Sequence, residues 1–155
     1  MANAYSTAGI IVKYCVEATA GTMPTSGFTT IPGVKEIPEF GTDVNTLQTT
    51  PLSALKNHTY IPGLTDAGGS IGLTVNDYDA FRTAWDTCVS AYAALTGGKQ
   101  MWFEFTAPDG SGMESFYFPG QPVPYGFGGA SVDEVFSNTA NIIPEGDFTF
   151  ASAST

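Results

Sequence analysis

Histidine and cysteine are nearly missing from this chain. Among 155 residues there is one histidine, His58, and two cysteines, Cys15 and Cys88. A zinc site needs three or four ligands brought together, and one histidine with two distant cysteines does not supply them. A Ser-His-Asp relay would have to use His58, and no nucleophile elbow accompanies it. Charge is also scarce: 13% of residues are charged, against about 25% in typical domains. Only 5 are basic against 15 acidic, for a formal net charge of -10. Gripping a phosphate backbone or an anionic membrane takes clustered Lys and Arg, which this chain lacks. No apolar run approaches the ~18 residues of a membrane helix. The opening MANAYSTAG has neither the charged n-region nor the apolar h-region of a secretory signal, so a cytosolic product is expected. Cys15 falls in a strand pattern and Cys88 in a helix pattern, which predicts two buried free thiols rather than a disulfide.

What is present suits one domain with its own core. Glycine and aspartate gather in "YIPGLTDAGGSIGLTVNDYD", residues 60–79. Gly63, Gly68, Gly69 and Gly72 meet no following Lys-Ser/Thr, as a phosphate loop would require. Asp77 and Asp79 have calcium-loop spacing without its sixth-position Gly and closing Glu. Ile71, Leu73 and Val75 alternate, so a loop, a strand and a helix start are expected.

Elsewhere, Ile10, Val12, Tyr14 and Val16 alternate as a first strand. "VKEIPEF" reads as a short strand that Pro38 places at an edge or bulge. "DVNTLQTTPLSALKNHTY" is polar and Thr-rich, strand-like at its ends and without a period in its middle. Residues 77 to 95 form the one convincing helix. Asn76 or Asp77 is its expected cap. Tyr78, Phe81, Trp85, Val89 and Tyr92 make its apolar stripe, and Gly97 and Gly98 end it. "QMWFEFT" and "MESFYFPG" read as a hairpin across "APDG". "QPVPYGFGG" is extended, "SVDEVFSNTANIIPEG" is a long alternating strand, and "DFTFAS" closes the chain. Many short strands and one helix predict an all-β sandwich or barrel-like domain with a flanking helix. Residues 1–8 and 151–155 are expected to be flexible ends.

The carboxylate pairs Asp133-Glu134, Asp77-Asp79 and Glu36-Glu39 are the one enzyme-like feature, since paired carboxylates flank the bond in glycosidases. Neighbouring carboxylates on a strand point to opposite faces, and no motif supports catalysis. No enzyme, metal or cofactor is expected.

The order "IPGVKEIPEFG", "VNTLQTT", "HTYIPGLTDAGGSIGLTVN", a helix, then "FEFTAPDGSGMESFYFPGQP" resembles the tail tube (major tail) proteins of long-tailed bacteriophages. The resemblance spans Gly21 to Gly146, with the "KEIPEFG…YIPGL.D" spacing as its most specific part. It implies a β-sandwich with a flanking helix whose copies form hexameric rings around an inner β-barrel. The rings stack into a tube through which double-stranded DNA passes without specific binding. It further implies tape-measure, tail-terminator and tail-tip partners, and a place in the virion tail after assembly in the host cytoplasm. Contractile-tail and secretion-system tubes are near relatives. The segment Thr42–Tyr60 is then the loop or hairpin projecting to the next ring. Its candidate contacts are Thr42, Val44, Leu47, Thr49, Leu52, Leu55, Lys56, His58 and Tyr60. Low charge content fits a subunit covered on several sides, and a ring can pair edge strands that endanger a monomer. With so few basic residues, an acidic lumen is expected, with Glu36, Glu39, Asp133 and Glu134 as candidates. The alternative is a carbohydrate-binding sandwich or phage decoration domain using exposed Trp102, Tyr117 or Tyr125.

Overall fold

In the computed structural model, every residue is described except 1–5, 7–8, 41–42, 54–56, 59, 67–68, 109–110 and 155. Among the described residues, ten strands and one helix follow in chain order: β1 Val12–Val16, β2 Thr29–Ile31, β3 Val34–Glu36, β4 Asp43–Gln48, β5 Tyr60–Asp66, β6 Ile71–Asn76, α1 Asp79–Ala93, β7 Met101–Phe105, β8 Ser115–Pro122, β9 Ser137–Pro144 and β10 Thr149–Ala151. Eight strands form one antiparallel sheet in the order β2-β1-β7-β8-β9-β6-β3, with β10 also paired to β8. The fold is all-β with a single flanking helix, and the sheet curls into a half-barrel.

The curl has two visible causes. β8 serves two halves of the sheet: Phe116–Pro119 pair with β7, and Gly120–Pro122 pair with β9. The changeover falls at Gly120, where a Cβ would stand 2.8 Å from Ile142, so only glycine lets β9 approach. The two edge strands, β2 and β3, are consecutive in the chain and joined by Pro32–Gly33 alone. Three Cα–Cα steps, from Ile31 to Val34, span at most ~11 Å, so the two edges come close there. Gly33 has φ +84 and its carbonyl accepts from Asn76 N–H at 2.8 Å. As Pro38 suggests, β3 is an edge strand, but it stops at Glu36.

Alternation sets the core. β6 buries Ile71, Leu73 and Val75, and β9 buries Asn138, Ala140 and Ile142. Met101, Phe103 and Phe105 of β7 join Val12, Tyr14 and Phe118 in the same core. Phe40 leaves the strand that "IPEFG" suggests and packs edge-on against Phe105, Phe116, Phe118 and Phe148, with ring centroids 5.4–6.1 Å apart.

The helix is shorter than the 77 to 95 expected. Its buried residues are Phe81, Trp85 and Cys88, at spacings of four and three. Trp85 donates its indole N–H to the Val123 carbonyl at 2.9 Å. Val89 and Tyr92 are half-buried against the core. Tyr78 is corrected: it is the N-cap, 45% exposed, and its ring lies over Gly33. Neither expected cap is available. Asn76 belongs to β6, and the Asp77 carboxylate is taken by Arg82.

Three further expectations change. Only Gln121 and Pro122 of "QPVPYGFGG" are strand, as the end of β8; residues 123–136, including "SVDEVF", form a loop, and β9 begins at Ser137. The "YIPGLTD" stretch is strand β5 rather than loop. The C-terminal segment, expected to be flexible, is tied down. β10 pairs with β8, the Ser154 backbone N–H and hydroxyl both donate to Glu104, and the Ser152 carbonyl accepts from Tyr117.

Candidate assembly interface

β4 and β5 pair only with each other among the described residues, as a two-stranded ribbon apart from the main sheet. Their register runs from Asp43 opposite Asp66 to Gln48 opposite Tyr60, with a bulge between Val44 and Thr46. Phe40, seated in the phenylalanine cluster, anchors the chain just before the ribbon begins. Among the described residues no other strand pairs with it, and several of its described side chains lie in solvent. Leu47, Leu52, Tyr60 and Ile61 are exposed, and Leu52 completely so. Thr49 and His58 are also exposed. His58 Nδ1 lies 2.7 Å from Gln48 Nε2 and 3.3 Å from Thr50 Oγ1, a polar clasp between the two strand ends. Thr42, Leu55 and Lys56 lie outside the described residues, and Val44 is described only by its strand pairing.

A second exposed apolar surface lies on the 123–136 loop. Phe127 is 76% exposed, Val132 87% and Val135 71%. Its aliphatic residues fall in the "SVDEVF" stretch, where alternation suggested a strand. A run of glycines beside large apolar residues was the available signal.

The proposed lumen carboxylates do not share one sheet face. Glu36 ends β3 and is exposed; Glu39 is exposed beyond that strand. Asp133 and Glu134 are corrected: they sit on the 123–136 loop, off the sheet, with Asp133 in the left-handed region at φ 64. Aspartate tolerates that conformation better than most residues.

The charged groups that are buried serve structure. Glu104 is fully buried and accepts from Tyr117 Oη at 2.5 Å, Ser154 N at 2.9 Å and Ser154 Oγ at 2.7 Å, with Lys13 Nζ 3.9 Å away. Burial pushes its pKa up, but these donors and Lys13 together hold it below the usual carboxylate range. Burial and the neighbouring carboxylate push Tyr117 well up. Glu17 accepts from Gly21 N at 2.7 Å and from the Trp102 indole at 3.1 Å. The Arg82 hydrogen bond holds Asp77 low against burial. Tyr92, donating to Glu145, is pushed up to about 12. Burial pushes the Cys88 thiol up to about 12; both cysteines are free. No cluster of three His, Cys, Asp or Glu is placed to hold a metal among the described residues, and no helix of the described residues is long and apolar enough to cross a membrane.

The aromatics of the carbohydrate-binding alternative are not a platform. Tyr117 is buried, Trp102 is half-buried with its indole engaged by Glu17, and Tyr125 packs on Phe81 with centroids 5.6 Å apart.

No protein family and no curated protein matches the chain by sequence. Solved structures do. A chain of the six-fold symmetrised baseplate of the anti-feeding prophage superimposes with a TM-score of 0.67 at 11% identity, covering 100% of both chains. A chain from the tail of an empty gene transfer agent particle, refined helically with C6 symmetry, gives 0.59 at 16% identity over 92% of this chain and 96% of that one. A chain of the anti-feeding prophage tube-terminating cap gives 0.61 at 13% identity, over 99% and 94%. At such identities the likeness is one of fold, and it runs the full length of the domain.

Proposed function

We propose that this chain is a structural subunit of a phage-type tail whose copies form hexameric rings that stack into the tube for DNA delivery. One observation carries this: a curled sheet with a two-stranded ribbon that pairs with no other described strand and exposes Leu47, Tyr60 and Ile61, with Leu52 exposed on the stretch joining its strands. The ribbon pairs with no other strand among the described residues, and its exposed apolar side chains are suited to contact with another chain. The full-length likeness to chains of two six-fold symmetric particles supports the same conclusion. The short edges β2 and β3 supply unpaired backbone for ring neighbours. DNA passes without specific binding, because five basic residues cannot neutralise a duplex. Tape-measure, terminator and tip proteins are the expected partners in the virion tail, with assembly in the host cytoplasm. The role is not enzymatic.

Negative-stain microscopy and sedimentation of the purified protein test the proposal. Rings or stacked tubes appearing with rising concentration are expected. Strict monomers at every concentration, combined with glycan binding, would favour the carbohydrate module.

A further inference from the structure

We infer that the C-terminal strand β10 belongs to an exchangeable strap: residues 148–154 of one copy seat on β8 of its neighbour. This rests on copies of the chain assembling, as proposed above. In the structure the strap lies on its own chain. β10 pairs with β8 over three residues, Thr149 opposite Tyr117, Phe150 opposite Phe116 and Ala151 opposite Ser115. Beyond β10, the Ser152 carbonyl accepts from Tyr117 Oη at 2.6 Å, and Ser154 gives both its backbone N–H and its hydroxyl to Glu104.

Seat and strap differ in what holds them together. The seat is desolvated: Glu104, Ser115 and Tyr117 are all buried. Ser115 Oγ is buried with no hydrogen-bond partner among the described residues. An unmet buried hydroxyl disfavours the closed state, since lifting the strap returns it to water. The strap itself hides little. Thr149, Ser152 and Ala153 are exposed, and Phe150 is 66% exposed beside Phe116. A three-residue edge strand with so little apolar burial belongs to the elements that open first. Once open, it leaves β8 with a bare edge at 115–117 and Glu104 short of donors.

The occupant of that edge is visible in the structure. Residues 148–154 fit it, and every copy carries them. A second copy's strap makes the same strand pairs and the same hydrogen bonds, and exchange of an identical element costs little. Glu145, bound to the Pro119 carbonyl and to Tyr92, fixes the near end of the connection from β9. The chain turns toward the neighbour at Gly146 and Asp147, both exposed. Phe148, half-buried against Phe40, Phe116 and Phe118, moves with the strap and enters the neighbour's cluster of the same rings. Each copy gives one strap and takes one, a head-to-tail contact that closes when copies form a ring.

The test is disulfide trapping in the full-length chain with Cys15→Ser as background. Ser115 and Ala151 are opposite residues, with Cα atoms about 5 Å apart, within reach of a disulfide. A chain carrying Ser115→Cys and an isotope-labelled chain carrying Ala151→Cys are mixed, assembled and oxidised. Linked pairs of one labelled and one unlabelled chain are expected, at least tenfold above the linked pairs in particles of either variant alone. The double variant should close within single chains when dilute and give a ladder of linked copies in particles. Particles that yield no mixed pairs, with the double variant linked only within chains, would overturn the exchange and leave the assembly proposal standing. Failure of the unsubstituted chain to assemble at any concentration would overturn both. Ser115→Ala gives a readout free of cysteine chemistry and of assembly: removing the unmet hydroxyl should slow hydrogen exchange of the Ser154 amide at least fivefold. An unchanged rate would overturn the opening on which the exchange depends.

Discussion

Arg82 grips Asp77 with two hydrogen bonds, Nε to Oδ1 at 2.5 Å and a terminal guanidinium nitrogen to Oδ2 at 2.9 Å. The pair ties the first turns of α1 to the end of β6 and, through the Phe136 ring, to the 123–136 loop. Asp77 has a folded pKa below its unfolded value. Its contribution is therefore complete above the unfolded carboxylate pKa and is lost as pH falls through the folded one. Asp77→Asn should lower the melting temperature at neutral pH, and its difference from the unsubstituted chain should shrink steadily in acid. A difference independent of pH would refute this.

Trp85 is fully buried, so Trp85→Ala should cost about 3–5 kcal/mol in urea unfolding. Trp85→Phe keeps much of the ring but strands the Val123 carbonyl, and about 1–3 kcal/mol is expected. A smaller loss for the alanine variant than for the phenylalanine one would contradict this packing.

Glu104 holds the C-terminal segment through Ser154. Removing residues 149–155 leaves the carboxylate short of donors and the start of β8 unpaired on one side. A loss of at least about 1.5–3 kcal/mol is expected, the usual worth of a hydrogen bond to a charged group. Because the folded pKa of Glu104 is lowered, the stabilisation is present above its unfolded pKa and disappears as pH drops through the folded value. Limited proteolysis should release the C-terminal segment faster in acid than at neutral pH. Equal release rates would count against the clasp.

Asp43 and Asp66 face each other at the base of the ribbon, so their backbones are about 5 Å apart. Residues 43–66 can thus be replaced by a short Gly-Ser linker without stretching the sheet. The variant should unfold within a few degrees of the unsubstituted chain and form no stacked rings. Full-length tubes without the ribbon would remove it from the interface.

Glu36 and Glu39 remain the proposed lumen carboxylates, while Asp133 and Glu134 belong to the loop. Converting Glu36 and Glu39 to Lys should leave tubes intact and slow DNA delivery, more so at low salt, where screening is weak. Normal infectivity at all salt concentrations would show that charge at these positions is immaterial to passage.

Local sequence determined the strands with a clean period and the helix. Ile71, Leu73 and Val75 alternate because one face of β6 is buried, and Phe81 and Trp85 recur four apart because one stripe of α1 is. Proline at 38 pointed to an edge, and β3 is an edge strand, but it ends two residues before Pro38, so the missing N–H marks the chain's exit from the sheet rather than the cause of the edge position. Long-range pairing decided the rest. Glu104 looks solvent-facing between Phe103 and Phe105, but the sheet curls and the C-terminal segment folds over that second face, so the carboxylate is buried among donors up to 50 residues away. Tyr78 fits the helical stripe yet lies outside it as the N-cap, with Gly33 of the β2–β3 turn beneath its ring. The ribbon's solvent exposure was equally out of reach: pairing of β4 with β5 follows local strand chemistry, but that no other described strand pairs with them depends on where every other strand went.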